Sequence, residues 1–199
     1  MESVSDCDSE GGGGRAPDPA LIAKVDAEAT ARHAHHEAGH AVAAVARGGQ
    51  LIRVFLGTVD WTTDDMSADT TGGTEHRTDD VDRPFVTFAG PWAEAKWMVA
   101  NEPDLDDFHE ALDYVWDENF DGDTAKYEGR VAALEAVAAQ LGLGHVGRAW
   151  EVGWAYELDD LLPAIEAVAA MLIRGEEVTH EVVRELVEEV RAEQAQAEF

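Results

Sequence analysis

The chain predicts a mainly α fold of the α+β kind, with a small β-hairpin or sheet placed after the first helix. Three observations carry this. Apolar residues recur at steps of three and four through most of the region between residues 18 and 193. Only two short runs, 51–56 and 73–77, have strand character. Glycine and proline divide the remainder into lengths that suit helices. With 199 residues, 45% of them hydrophobic and including six Trp and six Phe, the chain can bury the core of one domain. Residues 1–17 are acidic and Gly-rich and predict a disordered tail. Residues 18–193 make the domain, and 194–199 a C-terminal tail. No repeat is visible.

Asp18-Pro19 reads as a helix N-cap followed by proline in the first turn. The first helix runs to about Arg47, with a break expected near Asp26–Thr30, and Gly48-Gly49 ends it. Leu51–Leu56 and the weaker Gly73–Arg77 are the two strands. They are separated by a long polar loop of Thr, Asp and Ser with Trp61 near its start. Residues 79–100 form a helix whose stripe is Phe85, Phe88, Ala89, Trp92 and Ala93, kinked or restarted at Pro91. An acidic helix over 104–119 buries Phe108, Leu112, Val115 and Trp116. Another opens at Asp121 and presents Tyr127, Val131, Leu134, Ala138 and Leu141 before Gly142 and Gly144. A helical run from about Val146 to Arg174 contains Pro163. Gly175 stops it, and residues 179–193 make the last helix.

Fourteen basic residues against 42 acidic ones give a net charge of −28. Such a field disfavours nucleic acid and anionic membranes as partners, although it also suits a mimic of nucleic acid. Cys7 is the only cysteine, which excludes an intramolecular disulfide and a Cys-built zinc site and fits a reducing, cytoplasmic setting. No signal peptide or membrane segment is expected. Gly11–Gly14 lack the Gly-Lys-Ser/Thr of a phosphate loop, so no ATPase is expected in the chain.

The chemistry concentrates in His36-Glu37-Ala38-Gly39-His40, a complete H-E-x-x-H. Residues four apart on a helix lie one above the other, so both imidazoles can reach one Zn²⁺. Glu37 is placed to polarise water rather than to ligate. Gly39 lowers helix propensity and is explained if something approaches that turn closely. A catalytic zinc needs a third protein ligand. Asp123 is one candidate, because it lies four residues before Tyr127 on the core-facing stripe; a helix-end role for Asp123, with Asp121 as the cap, is the plainer alternative. Glu94 is the rival ligand. His33 is either a neighbour of the ligands or a solvated histidine. His76, His109, His145 and His180 read as surface or helix-end residues, and the tryptophans as core.

His36-Glu-Ala-Gly-His-Ala-Val42, the strand segment after it, Phe88-Ala-Gly-Pro-Trp-Ala-Glu-Ala95, Asp121-Gly-Asp-Thr-Ala125 and Leu161–Ala169 together resemble the zinc peptidase domain of the FtsH-type ATP-dependent proteases, over roughly residues 30–190. The resemblance implies a helical, zincin-like peptidase domain with a small β element beside the cleft. It implies Zn²⁺ on His36, His40 and Asp123, Glu37 as general base, and metalloendopeptidase activity on unfolded protein or peptide substrates. Two departures stand out. The family's membrane helices and ATPase domain are missing here, so ATP-driven unfolding is not implied for this chain, which would need a homo-oligomer or a separate ATPase partner, or substrates that are already unfolded. The hairpin loop is acidic and polar, which leaves the substrate-binding strand unassigned. A small helical peptidase that cleaves repressors shares the motif, but no helix-turn-helix signature accompanies it. The non-enzyme alternative is an acidic interaction protein with a structural or vestigial zinc site.

Overall fold

The computed structural model describes residues 18–62, 67–118, 120–143 and 149–197, with backbone only at 59–62, 67–70, 120–121 and 149. The expectations for the N-terminal tail, Gly144 and His145 fall outside the described residues. The fold is mainly α with a two-stranded antiparallel sheet, as the sequence predicts. No helix among the described residues is long and apolar enough to cross a membrane.

Helix α1 (Pro19–Ala46) starts where expected. Asp18 Oδ1 accepts from the Ala20 N–H at 3.0 Å, and Pro19 occupies the first helical position. The expected break near Asp26–Thr30 does not occur. The helix continues through Thr30, whose Oγ1 donates to the Asp26 carbonyl one turn back at 2.7 Å and shares that acceptor with the helix ladder. The helix ends in a left-handed cap: Gly48 has φ 75°, its N–H meets the Val45 carbonyl at 2.9 Å, and the Gly49 N–H meets that of Ala44 at 2.8 Å. Residues 36–45 are buried on every side. A helix so enclosed needs neighbours all round, and α1 has α2, α5, α6 and the hairpin against it.

Strands β1 (Gln50–Thr62) and β2 (Ser67–Arg77) pair from Gln50↔Arg77 to Thr62↔Ser67. Most of the expected polar loop, Trp61 included, is therefore strand. Its Thr, Gly and Asp residues lack the apolar alternation that would have marked it.

Helix α2 (Arg83–Asn101) runs through Pro91 as one element and buries Phe85, Phe88, Ala89, Trp92 and Ala93. It crosses α1 closely at Gly39, where an added Cβ would lie 2.3 Å from the Ala89 carbonyl oxygen. That is the close approach the glycine implied. Helix α3 (Phe108–Glu118) packs Ala111 and Val115 beneath Met98. A widened turn, Phe120–Thr124, leaves helical geometry at Gly122 (φ −101°, ψ −112°) and is tied back by Thr124 Oγ1 donating to the Trp116 carbonyl at 2.7 Å.

Helix α4 (Ala125–Gln140) buries Tyr127, Val131 and Ala138, but the expected stripe ends there, because Leu141 is 69% exposed beyond the helix. Helix α5 (Ala149–Ile173) stops at Gly175 (φ 68°). Helix α6 (His180–Ala197) runs four residues into the expected tail, since its far end has partners. Arg191 Nη2 donates to the Ala46 carbonyl and Gln194 Nε2 to that of Asp160.

Candidate metal centre

The buried half of α1 carries His36 and His40 on adjacent turns, and the turn before α4 brings Asp123 to them. The two Nε2 atoms are 3.1 Å apart, and Asp123 Oδ2 lies 3.0 Å from that of His36 and 2.9 Å from that of His40. A metal bound at roughly 2.0–2.2 Å sets neighbouring ligand atoms roughly 2.9–3.5 Å apart. The triangle therefore has the size of one ligand face, and these three residues form a group that could hold a metal ion.

The opposite edges of the imidazoles decide what the triangle presents. His40 Nδ1 is 2.7 Å from the Val86 carbonyl oxygen, which can only accept, so Nδ1 carries the proton. His36 Nδ1 is 2.8 Å from Glu94 Oε2. Burial favours the neutral acid at Glu94, but the hydrogen bond and charge of His36, and Arg32 behind it, hold the carboxyl down at about 2. Glu94 is thus an ionised acceptor, and His36 Nδ1 donates. In their neutral forms both histidines then turn an Nε2 lone pair toward a carboxylate oxygen. Three acceptors converging on one point require a proton or a cation between them. With a proton there, His36 rises to about 10: burial opposes its charged form, but the bonds to Asp123 and Glu94 and the charges of Glu94 and Glu37 prevail. Asp123 is driven far below the usual carboxylate range; burial opposes this, and the charge of His40 with the bonds to both histidines overcomes it. The donor set fits a metal.

Supports surround the three. Arg32 lies one turn before His36. Its Nε and Nη2 donate to Glu94 Oε1 at 3.1 and 2.7 Å, and Nη2 also reaches Glu118 Oε2 at 2.7 Å. Lys126 Nζ holds Asp123 Oδ1 at 2.9 Å. Gly90 makes room for His40, since a Cβ there would stand 2.3 Å from Nε2. Glu37 is buried yet outside the triangle: the Thr74 hydroxyl lies 2.6 Å from its Oε2, and Gly72 passes so closely that a Cβ would sit 3.1 Å from Glu37 Cγ.

Of the candidates read from the sequence, His36, His40 and Asp123 come together. Glu94 meets the far nitrogen of His36 instead of the shared point. The Asp121 side chain lies outside what is described. The His33 ring stacks on that of His36 with centroids 6.0 Å apart, so it is a neighbour of the ligands. His76 is half-buried, unlike a surface histidine. Arg32, Thr74 and Gly90 were missed; Arg32 could have been found, because it is four residues before His36 on the same helix face. Comparison with protein-family models, curated proteins and solved structures finds no match to the chain.

Proposed function

We propose that this chain is a zinc-dependent metalloendopeptidase acting on unfolded protein or peptide substrates. The observation that supports it best is the division of labour on one helix. His36 and His40 share a point with Asp123, while Glu37 stands beside them with one carboxylate oxygen held and the other free. Thr74 fixes Oε2, and Oε1 makes no hydrogen bond among the described residues. A bound zinc ion would supply Lewis acidity toward water and toward the amide carbonyl. His36, His40 and Asp123 would hold it. Glu37 Oε1 takes the proton of the attacking water and returns it to the departing amine nitrogen. The resemblance to the FtsH-type peptidase domain supports the same roles.

The test is zinc per chain after dialysis against a mild chelator, read beside cleavage of a quenched peptide with and without ATP. The expected result is about one zinc, lost in His36→Ala, and cleavage indifferent to ATP. Stoichiometric zinc in a His36→Ala/His40→Ala protein would refute the site. Zinc retained with no cleavage of any unfolded substrate would favour the acidic interaction protein, whose binding to a basic partner would not change in Glu37→Gln.

A further inference from the structure

Arg32 meets two carboxylates at once, and the second of them, Glu118, has no part in orienting His36. The two hydrogens of Nη2 serve different acids: Glu94 Oε1 and Glu118 Oε2 each lie 2.7 Å away. Nε adds a bond to the same Glu94 oxygen at 3.1 Å. The other oxygen of Glu118 accepts from the Tyr114 hydroxyl at 2.6 Å, and the guanidinium carbon stands 5.7 Å from the centroid of the Tyr114 ring. Arg32 is thus held on α2 by Glu94, and on α3 by an acid and a ring.

Beyond Glu118 lies the third ligand. Helix α3 ends at Glu118, and the widened turn that carries Asp123 follows closely. That turn is hooked to α3: Thr124 Oγ1 donates to the Trp116 carbonyl at 2.7 Å, and Trp116 stacks on Tyr127 of α4 with ring centroids 5.1 Å apart. Among the described residues, α1 makes no close backbone approach to α3 or to the turn. His36 and His40 therefore belong to one element and Asp123 to a neighbour that α1 does not pack against. The ligand triangle needs both to keep their spacing. The ion pair of Arg32 with Glu118 spans the gap between them, from one turn before His36 to the last residue of α3.

We propose that Arg32 is a positioning residue that joins the two halves of the metal centre: its guanidinium orients His36 through Glu94 and holds the turn of Asp123 through Glu118. Cutting the Glu118 arm should then disturb the ligand geometry, although neither Glu118 nor Arg32 belongs to the triangle. The proposal rests on the metal-binding part of the reading above and is independent of peptide hydrolysis. Lysine is a poor substitute, because one compact ammonium on a flexible stem lacks the planar set of donors that reaches two acids in fixed directions.

The experiment loads the full chain with Co²⁺, whose visible bands report the coordination geometry, and reads zinc affinity beside them by competition with a chromophoric chelator. Glu118 is exposed at a helix end, so Glu118→Ala keeps the test open even where Arg32→Met fails to fold. Glu118→Ala should weaken zinc binding roughly fivefold, the worth of a good exposed ion pair, and shift the cobalt bands. Thr124→Val cuts the same path nearer Asp123 and should shift the bands likewise. The two together should cost less than the product of the single losses, because they lie in series. Arg32→Met should weaken zinc binding roughly tenfold or more, and Glu118→Ala should add nothing to it. Arg32→Lys should fall closer to Arg32→Met than to the wild type.

Unchanged bands and zinc affinity in Glu118→Ala overturn the proposal. So does a Glu118→Ala chain whose metal-free thermal midpoint falls while its bands and affinity stay as in the wild type, because the tie would then serve folding alone. A full loss from Glu118→Ala in the Arg32→Met background overturns it too, since the effect would bypass Arg32. A wild-type chain that takes up neither Co²⁺ nor Zn²⁺ defeats the centre itself and the proposal with it. A wild type that binds both, beside variants that shift nothing, defeats the coupling alone.

Discussion

Glu94 accepts from His36 Nδ1 through one oxygen, at 2.8 Å, and takes two donors of Arg32 on the other. The carboxylate is buried, with Arg32 only partly exposed behind it. The chain Arg32–Glu94–His36 fixes which nitrogen of His36 faces Asp123. It also raises the basicity of that nitrogen, because an ionised acceptor stabilises positive charge on the ring.

Glu94→Gln should therefore leave the ligand set intact and weaken metal binding by roughly ten- to a hundredfold. Competition with a chromophoric zinc chelator measures it. An unchanged affinity would mean that packing alone orients His36.

Two glycines guard different things, and alanine separates them. Gly90→Ala places a Cβ 2.3 Å from His40 Nε2, so zinc affinity should fall while the helices still pack. Gly39→Ala meets the Ala89 backbone oxygen at 2.3 Å, which cannot swing aside. It should cost about 1–3 kcal/mol by forcing α1 from α2. Gly129 on α4 has nothing within 4 Å of an added Cβ, and Gly129→Ala should raise stability by up to about 1 kcal/mol. Urea midpoints and zinc content of the three proteins test the assignment.

What the sequence made legible was local. His36 and His40 are four apart on one helix, and that spacing needs no knowledge of the fold. Asp123 could be singled out because Tyr127, one turn on, marks the buried face. Glu94 could not be settled, since ligand and support differ only in which nitrogen of His36 the carboxylate meets. That is fixed by how α2 crosses α1, and the crossing depends on Gly39, Ala89 and Ala93 fitting together. The length of the hairpin was hidden for another reason. Strand pairing of Val59↔Thr70 and Trp61↔Ala68 is a backbone matter, and those side chains carry no period-two pattern.

Glu37 and Asp123 should part company on substitution. Glu37→Gln keeps the Thr74 contact and lies outside the ligand triangle, so zinc content should be unchanged and turnover should fall by roughly 10²–10⁴. Asp123→Ala removes the oxygen common to both histidines and should lose zinc and activity together. Retention of zinc in Asp123→Ala, with loss in Glu94→Ala, would reverse the two roles.

The protonation of His36 gives the metal-free and metal-loaded proteins different pH profiles. In the metal-free chain, folding raises His36 from 6.5 to about 10. Its contribution is then complete below pH 6.5 and is lost as pH rises toward 10. Glu94 is lowered from 4.5 to about 2, so its contribution is complete above pH 4.5 and is lost as pH falls toward 2. Both are in full force together only between these windows, and the metal-free thermal midpoint should be highest from about pH 4.5 to 6.5 as far as this pair decides it. A zinc ion held by His36, His40 and Asp123 would take the place of the His36 proton. The alkaline loss should therefore vanish in the loaded protein, and zinc affinity should climb about tenfold per pH unit while one proton is displaced. Melting curves with zinc and with chelator from pH 3 to 10, beside zinc competition at pH 7, 8 and 9, read both effects. A metal-free midpoint that does not move between pH 6.5 and 9.5 would show that no proton bridges His36 and Asp123.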